Sequence, residues 1–193
     1  MTKKTMTILA AVAAVVLWGI TAYNGMVKEQ EKVESQWGNV QNVYQRRADL
    51  IPNLVAIVKG YAQHEKSTFE AVVEARTKAT QMTVNVDDLT PEKLQEFQKA
   101  QGELSTALGR LIAITENYPD LKANQNFLEL QAQLEGTENR INVERKNFNE
   151  AAQAYNTKIR RFPTAILAGL FGFDKKPYFE AEAGSENAPK VAF

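Results

Sequence analysis

The sequence predicts an all-α protein, with an N-terminal transmembrane helix followed by an up-and-down antiparallel four-helix bundle of long helices. Three observations predict this fold: an apolar run at residues 8–20, later segments with apolar residues seven positions apart, and few glycines or prolines inside those segments. The chain has 193 residues, so the part between the anchor and the C-terminal tail suits one domain of ordinary size.

Composition excludes several classes of function. The 23 basic and 23 acidic residues balance, whereas a nucleic-acid-binding domain usually carries a basic excess, so no nucleic acid partner is expected. The absence of cysteine rules out disulfides, thiolate metal sites and lipoprotein attachment through a cysteine. His64 is the single histidine and lacks the second histidine of a helical zinc site. No cofactor, metal or catalytic residue is therefore predicted.

The predicted membrane anchor covers residues 6–23, after a short flank at 1–5. These are about 18 mostly uncharged residues, near the lower limit for a membrane-spanning helix. Trp18 and Tyr23 lie at the end of the run, where aromatic rings favour the lipid headgroups. A cleaved signal peptide is the alternative, although no small-x-small cleavage site follows the run. Lys3 and Lys4 are the lysines nearest to the run, which favours an external or periplasmic body.

The first body helix is predicted to continue directly from the anchor, with Gly25 as a possible break. Apolar residues seven apart form two rows along it, Met26, Val33 and Val40 in one and Trp37, Tyr44 and Ile51 in the other. The segment Asp49–Asn53 is predicted to end this helix in a turn, because proline disfavours helix in the residue before it. A single helix kinked at Pro52 is the alternative.

Three further helices are predicted. The second runs from about Pro52 to Gln81, and the third begins at Thr90-Pro91-Glu92, which combines an N-cap hydroxyl, a proline and an acid. The fourth covers about Leu121 to Arg161, where aromatic or aliphatic residues recur every seven positions. That spacing indicates left-handed packing between helices. The repeat comprises Phe127, Leu134, Ile141, Phe148, Tyr155 and Phe162.

Two segments follow the predicted bundle of residues 24–163. Since an even number of antiparallel helices returns the chain to its starting side, the apolar segment 164–173 is expected near the bilayer. It either enters the lipid interface, with cations beside it, or caps the bundle core. The candidate lipid contacts are Trp18, Tyr23, Arg160, Arg161, Leu167, Leu170 and Phe171, with Lys175 and Lys176 as further flanking cations.

Residues 174–193 are predicted to form a flexible tail. The tail ends in Val191-Ala192-Phe193, an apolar terminus of the kind that PDZ-type domains bind. Val191 and Phe193 are therefore candidate partner-binding residues, and an inert end is the alternative.

Two motifs in the sequence are similar to those of a known family. They are Gln45–Val55, continued by Val58-Lys59-Gly60-Tyr61-Ala62 and His64-Glu65, and Tyr155–Pro163 with the later Gly169–Phe173. Both strongly resemble the LemA family of bacterial membrane proteins, over essentially the whole chain. The resemblance implies a single-pass protein of the cytoplasmic (inner) membrane with an anchored four-helix domain. It implies no established enzymatic activity or cofactor.

Three functional hypotheses follow from the sequence. The leading one is a membrane-anchored scaffold or adaptor that contacts the lipid bilayer and binds other membrane or envelope proteins. The second is a structural homo-oligomer, assembled along the heptad faces and the small-residue pair Ala10 and Ala14. The third, an uncharacterised enzyme, has no catalytic motif to support it.

Overall fold

A computed structural model describes residues 2–180, and this part of the chain is helical with no strand. It contains six α-helices where the sequence predicts an anchor helix and four bundle helices. A short 3-10 helix, Thr115–Asn117, follows α3. The helices are α1 Lys3–Tyr61, α2 Lys66–Gln81, α3 Pro91–Ile114, α4 Pro119–Lys122, α5 Gln125–Arg160 and α6 Thr164–Phe171.

The first helix, α1, continues through Gly25, as predicted, and is longer than predicted because it also continues through Pro52. The predicted turn at Asp49–Asn53 is therefore wrong, and the alternative of one helix across Pro52 is correct. Proline has no backbone N–H and leaves the carbonyl four residues earlier without its helical partner. That carbonyl belongs to the buried Ala48, and Arg76 Nε of α2 donates to it at 2.8 Å. A side chain from another helix therefore replaces the missing hydrogen bond.

The chain reverses at Ala62–Glu65 instead of at Pro52. The predicted second helix is consequently divided between the last turns of α1 and α2. Leu54 and Val58 before the reversal and Val72 after it belong to the same apolar cluster, so reversing here buries all three. Tyr61, the last residue of α1, is exposed.

The longer helices run in alternating directions. Positions along α1 meet progressively earlier positions of α5, with Trp37 beside Phe148, Arg47 beside Glu138 and Tyr61 beside Asn124. Helix α5 is therefore antiparallel to α1. Between them, α2 returns along α1, and α3 runs beside α2, with Gln101 donating to the carbonyl of Ala79. The predicted start of α3 is confirmed, because the Thr90 hydroxyl accepts from the backbone N–H of Lys93.

The core consists of two apolar clusters, one above the other along the helices. The lower cluster lies near the bare part of α1 and contains Met26, Trp37 and Phe148; the upper cluster contains Ile51, Leu111 and Phe127. Both rows predicted on the first body helix are buried. The heptad residues of α5 are buried from Phe127 to Tyr155, but Phe162 lies beyond the end of the helix and is 84% exposed.

The tail was predicted to be flexible from residue 174 onward, but its first residues pack against the body. Helix α6 ends at Gly172, whose φ of 74° is a left-handed conformation that glycine adopts without strain. Residues 173–180 then run back along α5, and Phe179 is buried against Trp37 and Phe148. The segment 174–180 is therefore part of the packed body; residues 181–193 lie outside the described part.

Candidate membrane-contact site

The apolar part of α1 is bare. Within residues 2–180, α1 is the one helix long and apolar enough to cross a membrane, and that apolar stretch makes no buried contact. Burial begins abruptly at Met26, the first residue of the helix in the core. Trp18 and Tyr23, the predicted headgroup residues, are both exposed at the end of this bare stretch. The transition from bare to packed helix therefore occurs within three residues of Tyr23.

The chain returns to this transition at its C-terminal side. The ring of Tyr23 meets Phe171 edge-on at 5.0 Å and Phe173 at 5.6 Å between ring centroids. Such edge-to-face pairs are favourable because the positive edge of one ring faces the negative face of the other. These contacts bring α6 beside the end of the bare helix.

Helix α6 presents two different faces. Ala168 is buried and Leu167 packs partly against the lower cluster, so one face closes the end of the core. Ile166, Leu170 and Phe171 lie on the other face, and the Leu170 side chain is 74% exposed. The buried face suits a segment that caps the core, and the exposed apolar face suits a segment that enters the lipid interface. Leu167 belongs to the capping face, while Leu170 and Phe171 are exposed.

Of the four cations predicted to flank the membrane segment, three are exposed and one is partly buried. Arg160 and Arg161 are exposed and form no ion pair with any residue between 2 and 180. Lys175 is also exposed, but Lys176 points into the body. Its side chain is 11% exposed, and Nζ donates to the carbonyl of Val86 at 2.9 Å and lies 4.0 Å from Asp87. The expectation that Lys176 flanks the membrane segment is therefore wrong.

A buried arginine lies between the two core clusters. Arg47 belongs to α1, and its side chain is 2% exposed. Its guanidinium donates to Ser105 Oγ and Glu138 Oε1, each at 2.8 Å, and to the carbonyl and side chain of Gln101. Nε has no partner. The signal was present, because Arg47 occupies the row of Met26, Val33 and Val40, where an apolar residue would be expected.

The pKa of one buried tyrosine is strongly shifted. Burial, with a smaller contribution from the Asp174 carboxylate, raises the pKa of Tyr155 to about 12. That tyrosine belongs to the lower core cluster. Between residues 2 and 180, no group of three His, Asp or Glu side chains is arranged to hold a metal ion. His64 is exposed at the reversal after α1, while Val191 and Phe193 lie outside the described residues.

Comparisons with known proteins identify relatives along most of the chain. The model of the LemA family matches residues 36–193. The magnetosome protein MamQ 2 of Paramagnetospirillum magneticum is 26% identical, covering 91% of this chain and 71% of the relative. The magnetosome protein MamQ of Magnetospirillum gryphiswaldense is 29% identical, covering 84% and 66%. Protein LemA of Metamycoplasma hominis is 25% identical, covering 82% and 68%.

Proposed function

Because the chain belongs to the LemA family, we propose that it is a membrane-anchored helical scaffold or adaptor without catalytic activity. In this proposal residues 6–23 form the single anchor in the inner membrane. The packed part of α1 together with α2, α3 and α5 is the up-and-down four-helix body that other membrane or envelope proteins bind. The names of the relatives, LemA and MamQ, are not enzyme names, which agrees with this proposal.

The observation that carries the proposal is the division of α1. The same uninterrupted helix is bare and apolar before Tyr23, and from Met26 onward one of its faces is buried in the core. A bare apolar helix of this length is costly in water and stable in a bilayer, so the body is held against the membrane surface. A signal sequence would have the same length and composition. The mass of the mature protein distinguishes the two, since a retained anchor predicts that residues 6–23 are present.

We further propose that Leu170 and Phe171 enter the headgroup boundary while Arg160 and Arg161 remain near lipid phosphates. The test uses a body lacking residues 1–23, mixed with anionic liposomes and separated by flotation. Leu170→Ser and Phe171→Ser should abolish flotation at an unchanged melting temperature. Leu128→Ser is the matched control, because Leu128 is an exposed leucine on α5 at the opposite end of the body. A body that never floats, or that is destabilised by Leu170→Ser, would assign these residues to the core.

The side of the membrane is a separate proposal. The lysines nearest to the anchor, Lys3 and Lys4, support an N-terminus inside and a body on the periplasmic or external side. Protease added to intact spheroplasts should then digest the body. Full protection, with digestion only after lysis, would mean the opposite orientation.

A homo-oligomer is the second candidate function. Ala10 and Ala14 lie four residues apart on the bare helix and are exposed, and small residues at this spacing let membrane helices approach closely. Purification in mild detergent with mass measurement separates the two functions. A defined multiple of the chain mass without other proteins would favour the homo-oligomer, and reproducible co-purifying proteins would favour the adaptor. Loss of one such protein on deletion of residues 191–193 would support Val191 and Phe193 as its binding site.

A further inference from the structure

Helices α1 and α5 approach each other closely at Gly25. A Cβ added to Gly25 would lie 2.6 Å from Lys158 Nζ and 2.9 Å from Lys158 Cε, so the lysine occupies the space that a larger residue would need. The Lys158 side chain is half-buried, and its ammonium forms no hydrogen bond or ion pair with any residue between 2 and 180. A half-buried charge without a partner is costly, because burial removes part of its hydration. Lys158 is therefore a cation that lacks an acceptor.

The Lys158 ammonium lies at the membrane end of the body. Gly25 follows Tyr23 by two residues, which is about 3 Å along the axis of α1. Tyrosine rings at the end of a membrane helix favour the headgroup layer, so the ammonium lies at the depth of the lipid phosphates. This depth rests on the proposed function, in which residues 6–23 span the membrane.

Lys158 lines an open pocket between α1, the end of α5 and the start of α6. The pocket has a volume of about 620 Å³. Arg161, three residues after Lys158, also lines it and has no ion pair within residues 2–180. The hydroxyls of Thr157 and Thr164 belong to the same lining. Two cations and two hydroxyls supply the donors that a phosphate group accepts.

The two carboxylates of the pocket lie farther from the membrane and already have partners. Glu29 is four residues after Gly25, about 6 Å farther along α1, and its carboxylate lies 2.9 Å from Lys32 Nζ. Glu150 is eight residues before Lys158 on α5, and its carboxylate lies 3.7 Å from Lys146 Nζ. The unpaired charge of the pocket is therefore positive and lies at its membrane end.

We propose that Lys158 and Arg161 form a binding site for the phosphate of one phospholipid headgroup, with the Thr157 and Thr164 hydroxyls as further donors. The ammonium supplies a point charge, and the planar guanidinium supplies paired N–H donors. Gly25 leaves the space in which the ammonium is held. The site rests on the proposed function but goes beyond it, because it binds one lipid per chain at a fixed position.

The first test is native mass spectrometry of the full chain in neutral detergent, titrated with phosphatidylglycerol. The unmodified protein should bind one lipid before any other. Lys158→Met keeps an apolar stem and removes the charge, so this first binding should weaken about tenfold at an unchanged melting temperature. Lys28→Met is the matched control, because Lys28 is exposed on α1, one turn after Gly25, and does not line the pocket. Equal binding by Lys158→Met and the unmodified protein would overturn the proposal.

The same spectra separate a lipid from free phosphate. Excess inorganic phosphate should not displace the bound phosphatidylglycerol, because the acyl chains also hold the lipid beside the anchor; displacement would overturn the assignment to a lipid. The mass of the protein ion shows whether residues 6–23 are present. A retained anchor with no bound lipid contradicts the site alone, whereas a missing anchor contradicts the proposed function and the site with it.

The second test uses the close approach at Gly25. Gly25→Ala places a methyl group where the Lys158 ammonium lies, so the ammonium must leave its present position. This change should weaken the first lipid binding, and adding it to Lys158→Met should cause no further loss. Gly19→Ala is the matched control, because a Cβ there would meet nothing within 4 Å. No loss in Gly25→Ala, or additive losses in the double variant, would overturn the assignment of Lys158.

Discussion

The hydrogen bond from Arg76 to the Ala48 carbonyl should be energetically coupled to Pro52. Arg76→Ala leaves this buried carbonyl unpaired, which costs about 1–3 kcal/mol of unfolding free energy. Pro52→Ala restores the backbone N–H that would bond to the same carbonyl, and an alanine inside a helix is about 3 kcal/mol better than proline. In the Pro52→Ala protein, Arg76→Ala should therefore cost only a few tenths of a kcal/mol. The coupling between the two substitutions should be about 1–2 kcal/mol.

Urea unfolding in mild detergent, followed by circular dichroism, measures this coupling from the unmodified protein, the two single variants and the double variant. Arg110→Ala is the control, because Arg110 is exposed and forms no ion pair with a described residue. It should cost less than about 0.5 kcal/mol in both backgrounds. Strict additivity of Arg76→Ala and Pro52→Ala would refute the idea that Arg76 compensates for the proline.

Three other outcomes are expected. Phe179→Ala should cost about 3–5 kcal/mol because the ring is buried, whereas Lys175→Ala, a change at an exposed residue, should be nearly neutral in the same urea titration. Arg47→Ala should cost about 3–5 kcal/mol by leaving its buried partners unpaired, while Arg47→Met, which fills the same space, should cost clearly less; equal losses would contradict this. The raised pKa of Tyr155, about 12 against an ordinary 10, means that the unfolded state ionises first. The stability contributed by this group should thus be complete below pH 10 and be lost progressively as the pH rises toward 12. Tyr155→Phe should lack this part of the alkaline loss in a series of melts between pH 9 and 12.

The sequence predicted features that depend on neighbouring residues. The bare helix, the rows through Met26 and Trp37 and the N-cap at Thr90 all follow from local spacing, and the structure confirms them. The turn at Pro52 was wrong because the compensating donor, Arg76, lies 28 positions away in sequence. A rule based only on the residues next to a proline cannot identify that donor.

Features that depend on distant residues were missed. The segment at Phe179 is polar and small on average, which is typical of a mobile tail. The Phe179 ring is buried against Trp37, and the side chains of Asn149 and Asn156 form hydrogen bonds with the backbone of the segment. Lys176 was likewise taken as a membrane cation, although the carbonyl that it binds belongs to Val86 in the loop before α3. In both cases the deciding partner comes from a different helix or loop.

Because α1 has no break at Gly25, the membrane segment and the first helix of the body form one continuous helix and rotate together. Each helical residue advances the direction of the side chain by about 100°, so the number of residues between Tyr23 and Met26 fixes a phase angle. Adding one residue there would rotate the body by about 100° and move Phe171 away from the Tyr23 ring. The same helix places Tyr61 about 57 Å from Tyr23 along its axis. A rotation of the anchor about its own axis would therefore turn the body with it.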